Sequence, residues 1–69
     1  MTESVYKIIE VVGTSSESWG KAAAAAVERA SQTVRDLRIA EIAALDLQIA
    51  DGKVQAYRAR VTLSFKFGD

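Results

Sequence analysis

Cysteine and histidine are both absent from this chain of 69 residues. The first absence removes disulfides and thiolate metal sites, and the second removes histidine-ligated zinc. A lack of cysteine also fits a reducing cytoplasm. An excess of one charge is missing too, since nine cations balance nine anions for a formal net charge of zero. Phosphate neutralisation drives general nucleic-acid binding, so a neutral chain is not expected to bind nucleic acid. No run approaches the roughly 20 apolar residues of a membrane span. The opening Met1-Thr2-Glu3-Ser4 has no basic segment, and no apolar run of a signal peptide follows it. The expectation is a soluble cytoplasmic protein with no membrane partner.

Catalytic equipment is equally sparse. The serines fall in a turn or on helix and strand surfaces with no evident base beside them. Ser15 and Ser16 read as capping residues. Gly13, Gly20, Gly52 and Gly68 are isolated, so no glycine loop cradles a phosphate. No EF-hand spacing of acids occurs. An enzyme is therefore not expected. The length admits one domain, residues 1–69, with a thin core. A single core of this size supplies roughly 3–5 kcal/mol. Oligomerisation, or a cation held by oxygen ligands, is left to supply the rest.

What the chain does have is alternation. From Gln55 to Phe67, Tyr57, Ala59, Val61, Leu63, Phe65 and Phe67 share one face, and Ala56, Arg58, Arg60, Thr62, Ser64 and Lys66 share the other. That period of two predicts a strand with one greasy and one wet side. The wet side carries Arg58, Arg60 and Lys66. They form a solvated row or, if copies turn these faces inward, an anion-attracting lining.

Residues 4–12 alternate less cleanly. Val5, Ile9 and Val11 share a face with Lys7, while Tyr6, Ile8 and Val12 share the other with Glu10. This predicts a strand covered on both sides. Residues 13–16 are expected to end it, and Thr14 with Glu17 three positions later has the form of a capping box. A helix is then predicted over about residues 16–35. Its stripe is Trp19, Ala22, Ala23, Ala26, Val27, Ala30 and Val34. The small side chains would let it lie close against a sheet. Trp19 reads as a core residue on that stripe, with stacking on a planar ligand as the other reading.

From Leu37 to Ala50 the period returns to two. Leu37, Ile39, Ala43, Leu45, Leu47 and Ile49 share a face with Glu41. Asp51-Gly52 predicts a hairpin turn, since glycine readily supplies positive φ. The order is β-α-β-β, an α+β domain. The two later strands, at about 13 residues, reach roughly 43 Å. A helix of about 20 residues reaches only roughly 30 Å. Strands that outrun their helix must curl around it or project. Projection leaves edges and apolar surface for other copies of the chain to cover.

Glu41 stands out because a carboxylate on an apolar face is costly unless paired. Three readings stay open: an ion pair with Arg58 or Arg60, contact with a ligand, or simple exposure. Asp36, Asp46 and Asp51 could supply oxygen ligands to a hard cation if subunits brought them together, or they are solvated acids.

The run from Val5 to Ser15 through Val12-Gly13-Thr14-Ser15, the helical Ala26-Val27-Glu28-Arg29-Ala30, then Ala40-Glu41-Ile42, Tyr57 and Ser64-Phe65-Lys66-Phe67 together resemble a dodecin. The resemblance spans nearly the whole chain in order. It implies a β-α-β-β subunit whose three-stranded antiparallel sheet wraps one helix, twelve of which form a hollow homododecamer. It also implies small-molecule binding rather than catalysis, in most members a pair of stacked flavins at each two-fold axis. The family positions of that pocket fall on Ile39, Glu41 and Arg58. Flavin-binding members carry a stacking tryptophan where this chain has Ile39. They carry a glutamine after the third-strand tyrosine where it has Arg58. Isoleucine offers no aromatic face, and arginine donates without accepting. Family-type flavin binding is thus expected to be lost or weakened.

Ser4-Val5-Tyr6-Lys7, Ser18-Trp19 and Arg38-Ile39-Ala40 resemble a divergent branch that includes a calcium-binding type. The candidate ligands are calcium or weakly held flavin. No cofactor is certain, and no metal ligands can be named from the sequence.

Overall fold

The computed structural model describes residues 3–67. Strand β1 spans Tyr6–Ser15, helix α1 Trp19–Ser31, strand β2 Leu37–Ala50 and strand β3 Lys53–Lys66. They form one three-stranded antiparallel sheet in the order β1-β3-β2, with α1 across one face. The expected β-α-β-β order and antiparallel sheet are both present.

Local chemistry sets the helix bounds. Ser18 is the N-cap: its backbone is extended, and its hydroxyl accepts the Lys21 N–H at 3.0 Å. This replaces the expected Thr14–Glu17 capping box. Thr14 instead lies within β1, which runs on through Gly13 to Ser15. Glu17 pairs with Lys21, one turn along. The helix also ends sooner than expected, at Ser31 rather than near Arg35. Ser31 and Thr33 donate their hydroxyls to the Glu28 and Ala30 carbonyls, an option that competes with helical hydrogen bonding. Asp36 then takes a positive φ of 61°, and its carbonyl accepts the Lys66 N–H. At the other end Asp51 and Gly52 both have positive φ, 53° and 73°, between the paired residues Ala50 and Lys53. That is the type I′ turn which matches strand twist in two-residue hairpins.

The core is small and tightly apposed. Ala22, Ala26 and Ala30 of α1 meet Ala59, Val61 and Leu63 of β3, with Ile9, Val11, Ala23, Val27 and Leu37 around them. Gly13 permits this approach. A Cβ there would collide with the Ala22 carbonyl oxygen and lie 2.9 Å from the Ala26 Cβ. The helix rests on β1 and β3 and barely touches β2.

Alternation breaks twice along β2. The pairing with β3 shifts between Leu37 and Ile39 and again between Ile42 and Ala44, each time with an extra residue on β2, and a third time between Gln48 and Ile49 with the extra residue on β3. Each extra residue reverses which face the following side chains occupy. Ile39 and Glu41 therefore lie opposite Ser64 and Thr62, on the face away from the helix. Simple period-two counting had put both with Leu37 and Leu45. The burial cost expected at Glu41 does not arise, because Glu41 is exposed.

Candidate functional site

Residues directly opposite one another across an antiparallel pair share a face. The face away from α1 can thus be read as rows running β1 to β3 to β2: Ile8–Ser64–Ile39, Glu10–Thr62–Glu41, Val12–Arg60–Ala44 and Thr14–Arg58–Asp46. All three expected pocket positions, Ile39, Glu41 and Arg58, are on this face. Ile39 and Glu41 occupy adjacent rows at one end. Arg58 is two rows beyond Glu41.

Arg58 does not pair with Glu41. It forms a two-pronged ion pair with Asp46, Nε to Oδ1 at 2.7 Å and the second donor to Oδ2 at 3.0 Å. The reason is register, since Asp46 lies directly across the ladder from Arg58. The hydrogen bonds from Arg58 hold the Asp46 carboxyl below its ordinary pKa, against a smaller opposing desolvation. The same bonds raise the Arg58 pKa. Planar guanidinium–carboxylate pairing fixes orientation as well as charge.

Asp46 is tied on its other side too. Its backbone carbonyl accepts the Trp19 indole N–H at 3.0 Å. Trp19 meets Tyr57 edge-on, with ring centroids 5.1 Å apart. The expected core tryptophan is thus a partly exposed residue, at 38 %, that closes the N-terminal end of the helix against the sheet. Counting back from the Asp51-Gly52 turn pairs 46 with 58 only if one extra residue is placed between them, which simple alternation does not supply.

The wet face proves balanced in charge. Arg58, Arg60 and Lys66 share it with Asp46, Glu10 and Glu41. It is therefore not a purely cationic lining. Glu10 and Glu41 flank Thr62, with their backbones roughly 10 Å apart at the usual strand spacing. Asp36, Asp46 and Asp51 are strung along the length of β2 and do not meet within the protomer. Among the described residues no three acidic groups gather to hold a metal. Calcium takes about 6–8 oxygen ligands, which carboxylates, backbone carbonyls and water all supply.

Both sheet faces keep apolar surface. Ile8, Val12 and Ile39 are exposed on the face away from the helix. Leu45, Leu47 and Ile49 are exposed on β2, which the helix scarcely covers.

Comparison with known proteins agrees with this geometry. The chain matches the family model described as Dodecin over residues 5–68. It is 43% identical over 63 residues to the calcium dodecin of Mycobacterium tuberculosis, covering 91% of this chain and 89% of that protein. The crystal structure of that calcium dodecin aligns with a TM-score of 0.83 at 44% identity, over 94% of this chain and 93% of the other. Dodecin from Streptomyces coelicolor aligns with a TM-score of 0.90 at 38% identity, over 100% of this chain and 99% of the other. With its strand order, its single crossing helix and nearly all of its sequence matched in this way, the chain belongs to the dodecin family.

Proposed function

We propose that the protein is a single-domain, non-enzymatic, homododecameric binding and storage shell of the dodecin type, with its flavin pocket lost or weakened. The observation that carries this reading is the composition of the face away from the helix. Where a planar ring would stack, the row is Ile8–Ser64–Ile39, with no aromatic side chain. Where an amide would meet the ring edge, Arg58 is held by Asp46. The apolar residues exposed on both sheet faces support assembly with further copies, because a lone protomer leaves them in water. The shell would be cytoplasmic and would not engage nucleic acid or membrane. The test is the native particle mass taken together with the ultraviolet-visible spectrum and a riboflavin titration. A dodecamer without flavin absorbance that leaves riboflavin fluorescence unquenched at micromolar protein is expected. Strong quenching would instead mean that flavin is retained through other contacts.

A calcium-binding shell is the second reading. It is favoured by the similarity to calcium dodecin and by the exposed carboxylates Glu10 and Glu41 on either side of Thr62. The ion would sit where copies meet. Calorimetry with calcium after chelator treatment checks it, and heat of binding lost in Glu41→Gln would assign the donor.

A further inference from the structure

Charge on the face away from the helix is balanced in total but not in place. The adjacent rows Thr14–Arg58–Asp46 and Val12–Arg60–Ala44 set two guanidiniums against one carboxylate. Alternate residues of a strand stand about 6.6 Å apart on one face, so Arg58 and Arg60 are near enough to converge on one small group. Arg60 is exposed, and its neighbours across both ladders, Val12 and Ala44, carry no acceptor in their side chains. Glu10 and Glu41 lie one row further on, and neither forms an ion pair with it among the described residues. The Asp46 carboxyl is held below its ordinary pKa mainly by the Arg58 hydrogen bonds and, at longer range, by the charge of Arg60. Both cations thus act on the same point of the face.

Arg58 is only partly committed. It gives Asp46 its Nε and one terminal nitrogen, which leaves the remaining N–H groups of its five free. The pair is also open to water, with side chains 41% and 46% exposed. An ion pair this exposed contributes little net stability, so a stronger anion can compete with it. A ligand carboxylate would only duplicate Asp46. A phosphate group carries more charge and three acceptor oxygens, enough to meet the free edge of Arg58 and the fork of Arg60 together. The hydroxyls of Thr14, across from Arg58, and Thr62, next along β3 from Arg60, border the same spot.

We propose that Arg58 and Arg60 receive the phosphate group of a small phosphate ester or diphosphate, with the Asp46 carboxylate as the internal anion that holds Arg58 until that group arrives. This rests on the small-ligand reading above and names the chemistry of the ligand. All of its residues come from one protomer, so the site does not depend on how copies assemble.

The experiment is calorimetric titration of the full-length protein at constant ionic strength, since exposed charges are screened by salt. Pyrophosphate probes the charged group alone, and glycerol 3-phosphate against glycerol probes an ester. Wild type is expected to bind pyrophosphate and the ester but not glycerol. Asp46→Asn removes the competing charge and keeps the backbone carbonyl that accepts the Trp19 indole. It should tighten pyrophosphate binding about tenfold, the equivalent of about 1.4 kcal/mol. Arg60→Ala should weaken it about tenfold or more, and Arg60→Lys, with the charge but not the fork, should recover only part. Trp19 emission reports folding. If Asp46→Asn disturbs it, the two Arg60 variants decide the matter. Unchanged affinity in Arg60→Ala, or heat that sodium chloride of equal ionic strength abolishes, overturns the site. A short single-stranded oligonucleotide that binds more tightly than pyrophosphate overturns the small-molecule assignment. An assembled particle that binds no phosphate leaves the shell standing without this site, and a monomer that binds pyrophosphate leaves the site without the shell.

Discussion

Gly13→Ala tests how closely the helix and sheet approach. Gly13 lies opposite Ala59 on the helix-facing side of β1 and is buried. Its φ is not positive, so alanine would suit the backbone. On conformational grounds alone the change should stabilise by about 0.4–1 kcal/mol, through the unfolded chain. Space points the other way. The added methyl meets the Ala22 carbonyl oxygen, which belongs to the helix backbone and cannot rotate aside, and crowds the Ala26 Cβ at 2.9 Å. Overpacking costs about 1–3 kcal/mol, and an immovable obstacle places this site at the upper end. The net expectation is a loss of about 2 kcal/mol after the conformational gain is deducted. For a domain of this size that lowers the melting temperature by about 8–16 °C. Differential scanning calorimetry at one fixed protein concentration measures it, since any assembly would make melting concentration-dependent. Gly20→Ala is the control. Its new methyl meets only the Ser18 hydroxyl oxygen at 3.9 Å, and alanine in a helix should stabilise by about 0.5–1 kcal/mol. If Gly13→Ala melts at or above the wild-type temperature, the close approach is not what holds the helix on the sheet.

Ile39→Trp combined with Arg58→Gln is expected to create or strengthen flavin binding, seen as quenching of riboflavin fluorescence. A double variant that assembles normally without quenching would show that the pocket lies elsewhere. Trp19→Phe keeps an aromatic ring against Tyr57 but removes the indole donor to the Asp46 carbonyl. It should cost about 0.5–1.5 kcal/mol in denaturant unfolding, and an unchanged midpoint would mean that the bond contributes nothing. The Asp46 carboxyl should titrate below the usual value of about 3.9, because Arg58 stabilises its charged form. The pair's stabilisation is then complete above that value and fades as pH falls through the lowered one. A carbon-13 carboxyl titration with a midpoint at or above the ordinary value would refute the pairing.

The amino-acid order alone determined the strand–helix–strand–strand sequence, the buried face of β3 and the turn at Asp51-Gly52. Each depends on neighbours along the chain: a period of two, a stripe of alanines, a glycine where φ turns positive. It did not locate the start of the helix, because threonine and serine both suit an N-cap and only the length of β1, which takes in Thr14, selects Ser18. It did not give the partner of Arg58 or the face of Glu41. Those follow from shifts in the β2–β3 pairing, between Gln48 and Ile49 for the partner of Arg58 and between Ile42 and Ala44 for the face of Glu41, which leave no mark in local hydrophobicity. Register is a property of two strands together. The Arg58–Asp46 pair, the Ile8–Ser64–Ile39 row and the bare hairpin end were therefore decided only when the third strand came to lie between the other two.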